Sequence, residues 1–121
     1  MIDDEIEVRH LLQTVLREHG FEVLVAENGA KGWEALQDHR AEVDLIVLDL
    51  IMPEMPGRHF VELLRKEGIQ IPVLICTGYP SELAMTDLSG LEVEDFLGKP
   101  FTPVQFLEKV NDMITRRAAT P

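Results

Sequence analysis

From Ile6 to His19 the apolar positions Val8, Leu11, Leu12, Val15 and Leu16 recur at the i, i+3, i+4, i+7, i+8 spacing of a buried helical stripe, and Gly20 supplies a left-handed stop. The spacing predicts a helix. Glu22 to Ala26 is short and rich in β-formers, with Asn28-Gly29 as its turn, and reads as a strand. Ala30 to Arg40 then forms a helix that buries Trp33 and Leu36. Val43-Asp44-Leu45-Ile46-Val47-Leu48 is apolar at almost every position, as expected of a parallel strand covered on both faces. Asp49 follows it directly. A loop marked by Pro53, Pro56 and Gly57 leads into a helix carrying Phe60, Leu63 and Leu64 on one side and ending near Gly68. Ile71 to Cys76 is a further strand, with Pro72 at its start where a missing N–H is tolerated. A short helix is expected over Ser81 to Leu88, and Val93 to Leu97 is the last strand, closed by Lys99-Pro100. Thr102-Pro103-Val104-Gln105 combines a capping hydroxyl, a proline at the first helical position and a glutamine three residues after the cap. The final helix starts there, with Leu107, Val110 and Ile114 as its inner stripe and residues 116–121 as a frayed, disordered tail.

Strands alternating with helices imply an α/β fold, a doubly wound parallel sheet with helices on both faces joined by right-handed crossovers. No linker interrupts the pattern, so residues 1–121 read as one domain. The length of 121 residues agrees, and a 45% apolar fraction supplies one ordinary core. A formal net charge of −11 opposes any non-specific hold on a nucleic acid backbone, so no direct nucleic acid partner is expected. The single cysteine, Cys76, forms no internal disulfide and reads as a buried, inert thiol in an apolar strand. No apolar run approaches the roughly 20 residues that span a bilayer, and the expected location is the cytoplasm with no membrane partner. His10, His19, His39 and His59 lack metal-ligand spacing and read as surface or boundary residues. Neither glycine-rich nucleotide-binding pattern is present.

Sheets of this kind place their ligands beyond the carboxyl ends of the strands. The residues just after the apolar runs are Asp3 and Asp4, Asp49, Thr77 and Lys99. Carboxylates crowded into a partly desolvated pocket repel one another, so either a pKa rises or a cation sits among them. Mg²⁺ suits Asp4 and Asp49 with a nearby backbone carbonyl, because it favours one or two carboxylates together with phosphate oxygens. The Lys99 charge and the Thr77 hydroxyl suit phosphoryl oxygens. The implied chemistry is phosphorylation of an aspartate, with the ionised Asp49 as nucleophile and no general base. Singly, each residue has a plainer reading: Asp3 and Asp4 as a solvated helix start, Asp49 as a turn cap, Thr77 as a strand-end hydroxyl, Lys99 as a surface charge.

Four segments together carry more. Asp3-Asp4-Glu5, the run from Leu48 to Gly57, Cys76-Thr77-Gly78-Tyr79 and Leu97-Gly98-Lys99-Pro100-Phe101, in this order and at strand ends, resemble the receiver domain of two-component response regulators. The resemblance spans almost the whole chain. It implies a five-stranded sheet of order 2-1-3-4-5, Asp49 as phosphoacceptor, Asp4 as a direct Mg²⁺ ligand and Asp3 as a ligand through water or a helper. It also implies that the Ile51 carbonyl completes the metal's protein ligands, that Lys99 pairs with the phosphoryl group, and that a cis peptide precedes Pro100. Thr77 and Phe96 would form the switch that couples phosphorylation to an output face. The phosphoryl donor would be a sensor histidine kinase or a histidine phosphotransfer protein, and a homodimer is a further expected arrangement. Gly78-Tyr79-Pro80 is similar to receivers attached to hybrid sensor kinases.

The sequence departs from that pattern at its start. Only Met1 and Ile2 precede Asp3, where the family has about five apolar residues, so the central first strand is truncated and its neighbours face unpaired backbone groups. Either the sequence starts inside the first strand, or a neighbouring chain, a slipped segment or a rearranged N-terminus fills the gap. Pro56 stands where the family has Asp, and Glu92-Val93 where it has Gly-Ala. Two other functions follow if the departure disables the site or the resemblance misleads. One is an interaction or dimerisation module with impaired metal binding. The other is a small aspartyl-phosphate phosphohydrolase, which the sequence disfavours because Ile51 occupies the position where such enzymes carry a second Asp.

Overall fold

The computed structural model describes residues 1–3, 5–50, 56–78, 93 and 95–119, the last three of them by backbone only. The expected helix over Ser81 to Leu88, and the expected ligands Asp4 and Ile51, lie outside these residues. The described elements are α1 (Ile6–Glu18), α2 (Gly29–His39), β1 (Ile46–Leu48), α3 (Gly57–Lys66), β2 (Val73–Thr77), β3 (Asp95–Gly98) and α4 (Pro103–Ala119), with one 3₁₀ turn over Arg40–Glu42. β1, β2 and β3 form a parallel sheet in that order.

Continuous apolar strands reach two cores at once because successive side chains point to opposite faces. Ile46, Leu48, Val73 and Ile75 face one cluster with Leu36, Phe60, Val61 and Leu64 from α2 and α3. Val47, Leu74 and Cys76 face the other, with Leu12 and Leu16 from α1 and Phe106, Val110 and Met113 from α4. The fold is therefore α/β, with helices on both faces of a parallel sheet. Trp33 meets Phe60 edge-on at 5.8 Å between α2 and α3. Two stripes differ from the periodic reading. Leu11 is 51% exposed, because α1 turns only Leu12 and Leu16 fully inward, and α4 buries Phe106 and Met113 more deeply than Leu107 and Ile114.

Local signals end α1 and begin α4 as the sequence predicts, whereas Asn28, expected in a turn, caps a helix that starts at Gly29. Gly20 adopts φ 85°, which a side chain would strain, and its N–H and that of Phe21 bond back to Arg17 and Leu16 carbonyls. Asn28 accepts a hydrogen bond from the Lys31 N–H at 2.9 Å, capping α2. At α4 the capping box closes in both directions: the Gln105 N–H donates to Thr102 Oγ1 at 3.1 Å and the Thr102 N–H to Gln105 Oε1 at 2.8 Å.

The N-terminus lies in the centre of the sheet without slipping. Ile2 forms parallel bridges to Ala26 on one side and Leu48 on the other, so the backbone order runs through residue 26, residue 2, β1, β2 and β3. This is compatible with the expected 2-1-3-4-5 order. The Ile2 N–H donates to Val47 O at 2.8 Å, the Asp49 N–H to Ile2 O at 3.1 Å and the Ala26 N–H to Met1 O at 2.9 Å. The Met1 amine donates to Leu24 O at 2.8 Å, and burial pushes its pKa down to about 5. The expected strand over Glu22 to Ala26 is thus reduced to a single bridge, since a ladder needs a partner and residues 1–3 reach only its end. The expected strand from Val43 shortens to Ile46–Leu48 on the same side of the sheet.

Candidate functional site

Asp3, Asp49, Thr77 and Lys99 are each delivered by the carboxyl end of a sheet segment. Asp49 follows β1 and is 5% exposed, Thr77 ends β2 and is 3% exposed, and Asp3 follows the central bridge and is 3% exposed. Lys99 follows β3, its N–H donating to Thr77 O at 2.8 Å, and its peptide bond to Pro100 is cis. Gly57 fixes the approach to Asp49 from behind. Its N–H donates to Leu50 O at 3.0 Å, and a Cβ there would lie 2.5 Å from Asp49 O and 2.7 Å from Leu50 Cα.

The Lys99 ammonium is the centre of the cluster. Its Nζ donates to Glu5 Oε1 at 2.8 Å, Asp3 Oδ2 at 2.9 Å and Asp49 Oδ2 at 3.1 Å. Burial alone would lower the Lys99 pKa, but the hydrogen bonds to Glu5 and Asp3 and the charges of Asp49 and Asp3 outweigh it and raise it above its ordinary value. Burial likewise pushes the Asp3 carboxyl up, and the bonds it accepts from Lys99 and from the Glu5 N–H, the latter at 2.9 Å, oppose this without cancelling it. Arg9 holds the same turn by donating to Asp3 O at 2.8 Å.

Carboxylate oxygens of Asp3, Glu5 and Asp49 lie within 4.8 Å of one another. Three hard oxygen donors facing a single ammonium fit a divalent ion of the Mg²⁺ kind, which prefers carboxylates and retains water. Glu5 has no role in the sequence reading beyond belonging to the acidic run. The signal that finds it is its i+2 placement from Asp3 across the turn into α1, which brings both side chains to Lys99.

The cluster opens into a cavity of about 660 Å³ whose lining includes Asp49, Thr77 and Lys99 together with Val8, Leu11 and Phe101. Thr77 therefore shares this cavity with Asp49. Phe96 is half-buried and packs against the core on the α2/α3 face. Cys76 is 1% exposed, and burial raises its thiol pKa to about 12, as the inert reading expects.

Fold and site define a doubly wound α/β protein whose acidic chemistry gathers at the carboxyl ends of its strands. A model of the response regulator receiver domain family matches residues 1–111, and the chain belongs to that family. A probable transcriptional regulatory protein of Picosynechococcus is 33% identical over 97% of this chain and 49% of its own length, and the response regulator SaeR of Staphylococcus aureus is 27% identical over 96% and 50%. The chain spans about half the length of these curated relatives. The receiver domain of the Francisella response regulator 1452 superposes with a TM-score of 0.85 at 27% identity, covering 96% of this chain and 94% of that one. Receiver domains are signalling modules of two-component systems. Among the described residues no helix is long and apolar enough to cross a membrane.

Proposed function

We propose that the chain is a phosphoacceptor module that takes a phosphoryl group onto Asp49 from a phosphohistidine of a sensor histidine kinase or a histidine phosphotransfer protein. The observation that carries this reading is the meeting of Asp3, Glu5 and Asp49 around Lys99, from segments up to 96 residues apart in sequence. A carboxylate oxygen of Asp49 attacks phosphorus, an O–P bond forms as the P–N bond of the donor breaks, and the imidazole leaves with the electron pair and takes a proton from water. Lys99, already within 3.1 Å of Asp49, pairs with the incoming phosphoryl oxygens, and the Thr77 hydroxyl donates to another. Asp3, Glu5 and Asp49 would hold Mg²⁺, with Asp4 and the Ile51 carbonyl as the further ligands implied by the family; bound there, the ion neutralises charge between the carboxylates and the phosphoryl group.

Thr77 and Phe96 act as the switch in this reading, Thr77 moving toward the phosphoryl group and Phe96 turning inward behind it, as a shift between two populated states. Exposed apolar side chains, Leu11 in the cavity's lining, Ile6 on the same helix and Val104 on α4, fit the docking of the donor's helical surface. Such relays operate in the cytoplasm. The competing reading of an interaction module with disabled metal binding requires a displaced Asp3. Its buried place beside Asp49 favours the phosphoacceptor instead.

Acetyl phosphate and Mg²⁺ test the proposal directly. The expected result is one phosphoryl adduct by intact mass, absent in Asp49→Asn and absent when the metal is chelated. An unmodified wild-type spectrum under the same conditions refutes it, and sustained turnover of a phosphomonoester would point to a phosphohydrolase.

A further inference from the structure

Two of the carboxylates around Lys99, those of Asp3 and Glu5, stand on one short turn into α1, and Arg9 bonds to that turn twice. Its Nη1 donates to Asp3 O at 2.8 Å, and its backbone N–H donates to Glu5 O at 3.0 Å. The Asp3 N–H donates to Ala26 O at 3.2 Å, and the Glu5 N–H to Asp3 Oδ1 at 2.9 Å. Glu5 is the cap residue of α1, extended at φ −81° and ψ 105°, yet its side chain makes no capping bond. That carboxylate goes to Lys99 instead, at 2.8 Å. The helix therefore starts without the side-chain cap that ordinarily fixes the entry of the chain, and a guanidinium from the next turn holds the entry by its carbonyl. The hold matters because one ammonium faces three carboxylates, whose residual repulsion strains the turn. The Lys31 hydrogen bond and charge keep the Glu27 carboxyl below its ordinary value, and the Arg9 charge acts on it in the same direction. The guanidinium thus reaches both the acidic turn and the loop that follows Ala26.

We propose that Arg9 is a positioning residue of the site, which through the Asp3 carbonyl fixes the aim of the Asp3 and Glu5 carboxylates and so sets the affinity for a divalent ion. The inference rests on the reading of the site as a Mg²⁺-assisted phosphoacceptor and adds to it a residue outside the ligand set. Arg9 touches neither the phosphoryl group nor Asp49 in this role. It acts as the hydrogen-bonded partners behind metal ligands do, by holding the backbone from which the ligands project. If the turn rotates, two of the three oxygens around Lys99 leave together, because both belong to the same short segment.

The test compares the isotope-labelled 121-residue chain with its Arg9→Met and Arg9→Lys variants. Mg²⁺ affinity is read from the amide shifts of Glu5 and Asp49, and the Glu5 amide is read again in metal-free buffer. Field and position act with opposite sign: removing a positive charge near three carboxylates on its own tightens cation binding, whereas loosening the turn weakens it. The expected result for Arg9→Met is a Kd raised about 10–100-fold, with the metal-free Glu5 amide displaced upfield as its bond to Asp3 lengthens. Arg9→Lys retains a charged donor and should recover part of both effects. Tighter or unchanged Mg²⁺ binding by folded Arg9→Met overturns the proposal, as does an unmoved Glu5 amide or a parent chain that binds no Mg²⁺. A lowered melting temperature with Kd unchanged overturns it too, since that marks a merely structural residue. A parent chain that binds Mg²⁺ but takes no phosphoryl group from acetyl phosphate ends the phosphoacceptor reading alone, and the role of Arg9 still stands or falls by the affinity of Arg9→Met.

Discussion

Lys99 holds three carboxylates together, and its removal is the sharpest single-residue test of the site. Lys99→Met leaves Asp3, Glu5 and Asp49 facing one another with no cation, and truncating one member of a largely buried charge cluster costs about 2–4 kcal/mol. The variant should melt well below the parent in metal-free buffer at neutral pH. Added Mg²⁺ should restore more stability to it than to the parent, as followed by calorimetry. Gly57 acts from outside the cluster. Gly57→Ala drives a Cβ into the Asp49 carbonyl and the Leu50 backbone, neither of which has a flexible end to move, so a loss of about 1–3 kcal/mol is expected. Slower labelling by acetyl phosphate should accompany it, read by mass as a time course. Asp49 and Thr77 are legible in the sequence because each ends an apolar run that reads as a buried strand, and Lys99 because it closes the last strand candidate. Glu5 is not, since an acidic residue at a helix start already has a sufficient explanation in the helix dipole. Gly57 is legible as a turn marker, but its close approach to Asp49 is a tertiary fact that no local pattern carries.

At the scale of elements, β3 is tied to α4 by charge. Asp95 accepts from Lys109 at 3.1 Å and from Arg116 at 3.3 Å, and the Phe96 N–H donates to its other oxygen at 2.8 Å. Burial alone would raise this carboxyl, but the Phe96, Lys109 and Arg116 contacts prevail and hold it below the ordinary carboxylate value. A carboxylate depressed on folding stabilises the fold above its unfolded pKa, and that contribution is lost as pH falls through its folded one. Asp95→Asn should therefore lower the melting temperature modestly at pH 7, with the gap between variant and parent closing as pH falls below about 4. The start of α4 is written in short-range chemistry, a reciprocal capping box, and so is readable from sequence, whereas Asn28 reads as a turn residue and is in fact the cap of α2. The strand over residues 22–26 is not realised, although its residues favour one, because strand pairing depends on the length of a partner elsewhere in the chain. Leu11 shows the same limit on α1: its spacing fits a buried stripe, yet the helix is rotated so that this residue borders the site cavity.

For the molecule as a whole, the parallel sheet separates two cores, and the core on the α2/α3 face contains the one natural fluorophore of its kind. Phe60 is fully buried and meets Trp33 edge-on, so Phe60→Ala should cost about 3–5 kcal/mol and shift Trp33 emission to the red in the native state. The doubly wound α/β fold was readable from strand-helix alternation alone, since only covered parallel strands are apolar at nearly every position. The opposite face holds Cys76, sealed among Leu12, Leu74 and Phe106. As the chain's sole sulfhydryl it leaves the surface free of competing sites, so a maleimide dye or spin label can be attached at an introduced cysteine without first replacing the native one. Under denaturant the same atom becomes a clock: it reacts with Ellman's reagent only when the middle of the molecule comes apart, and the rate of colour formation measures that opening.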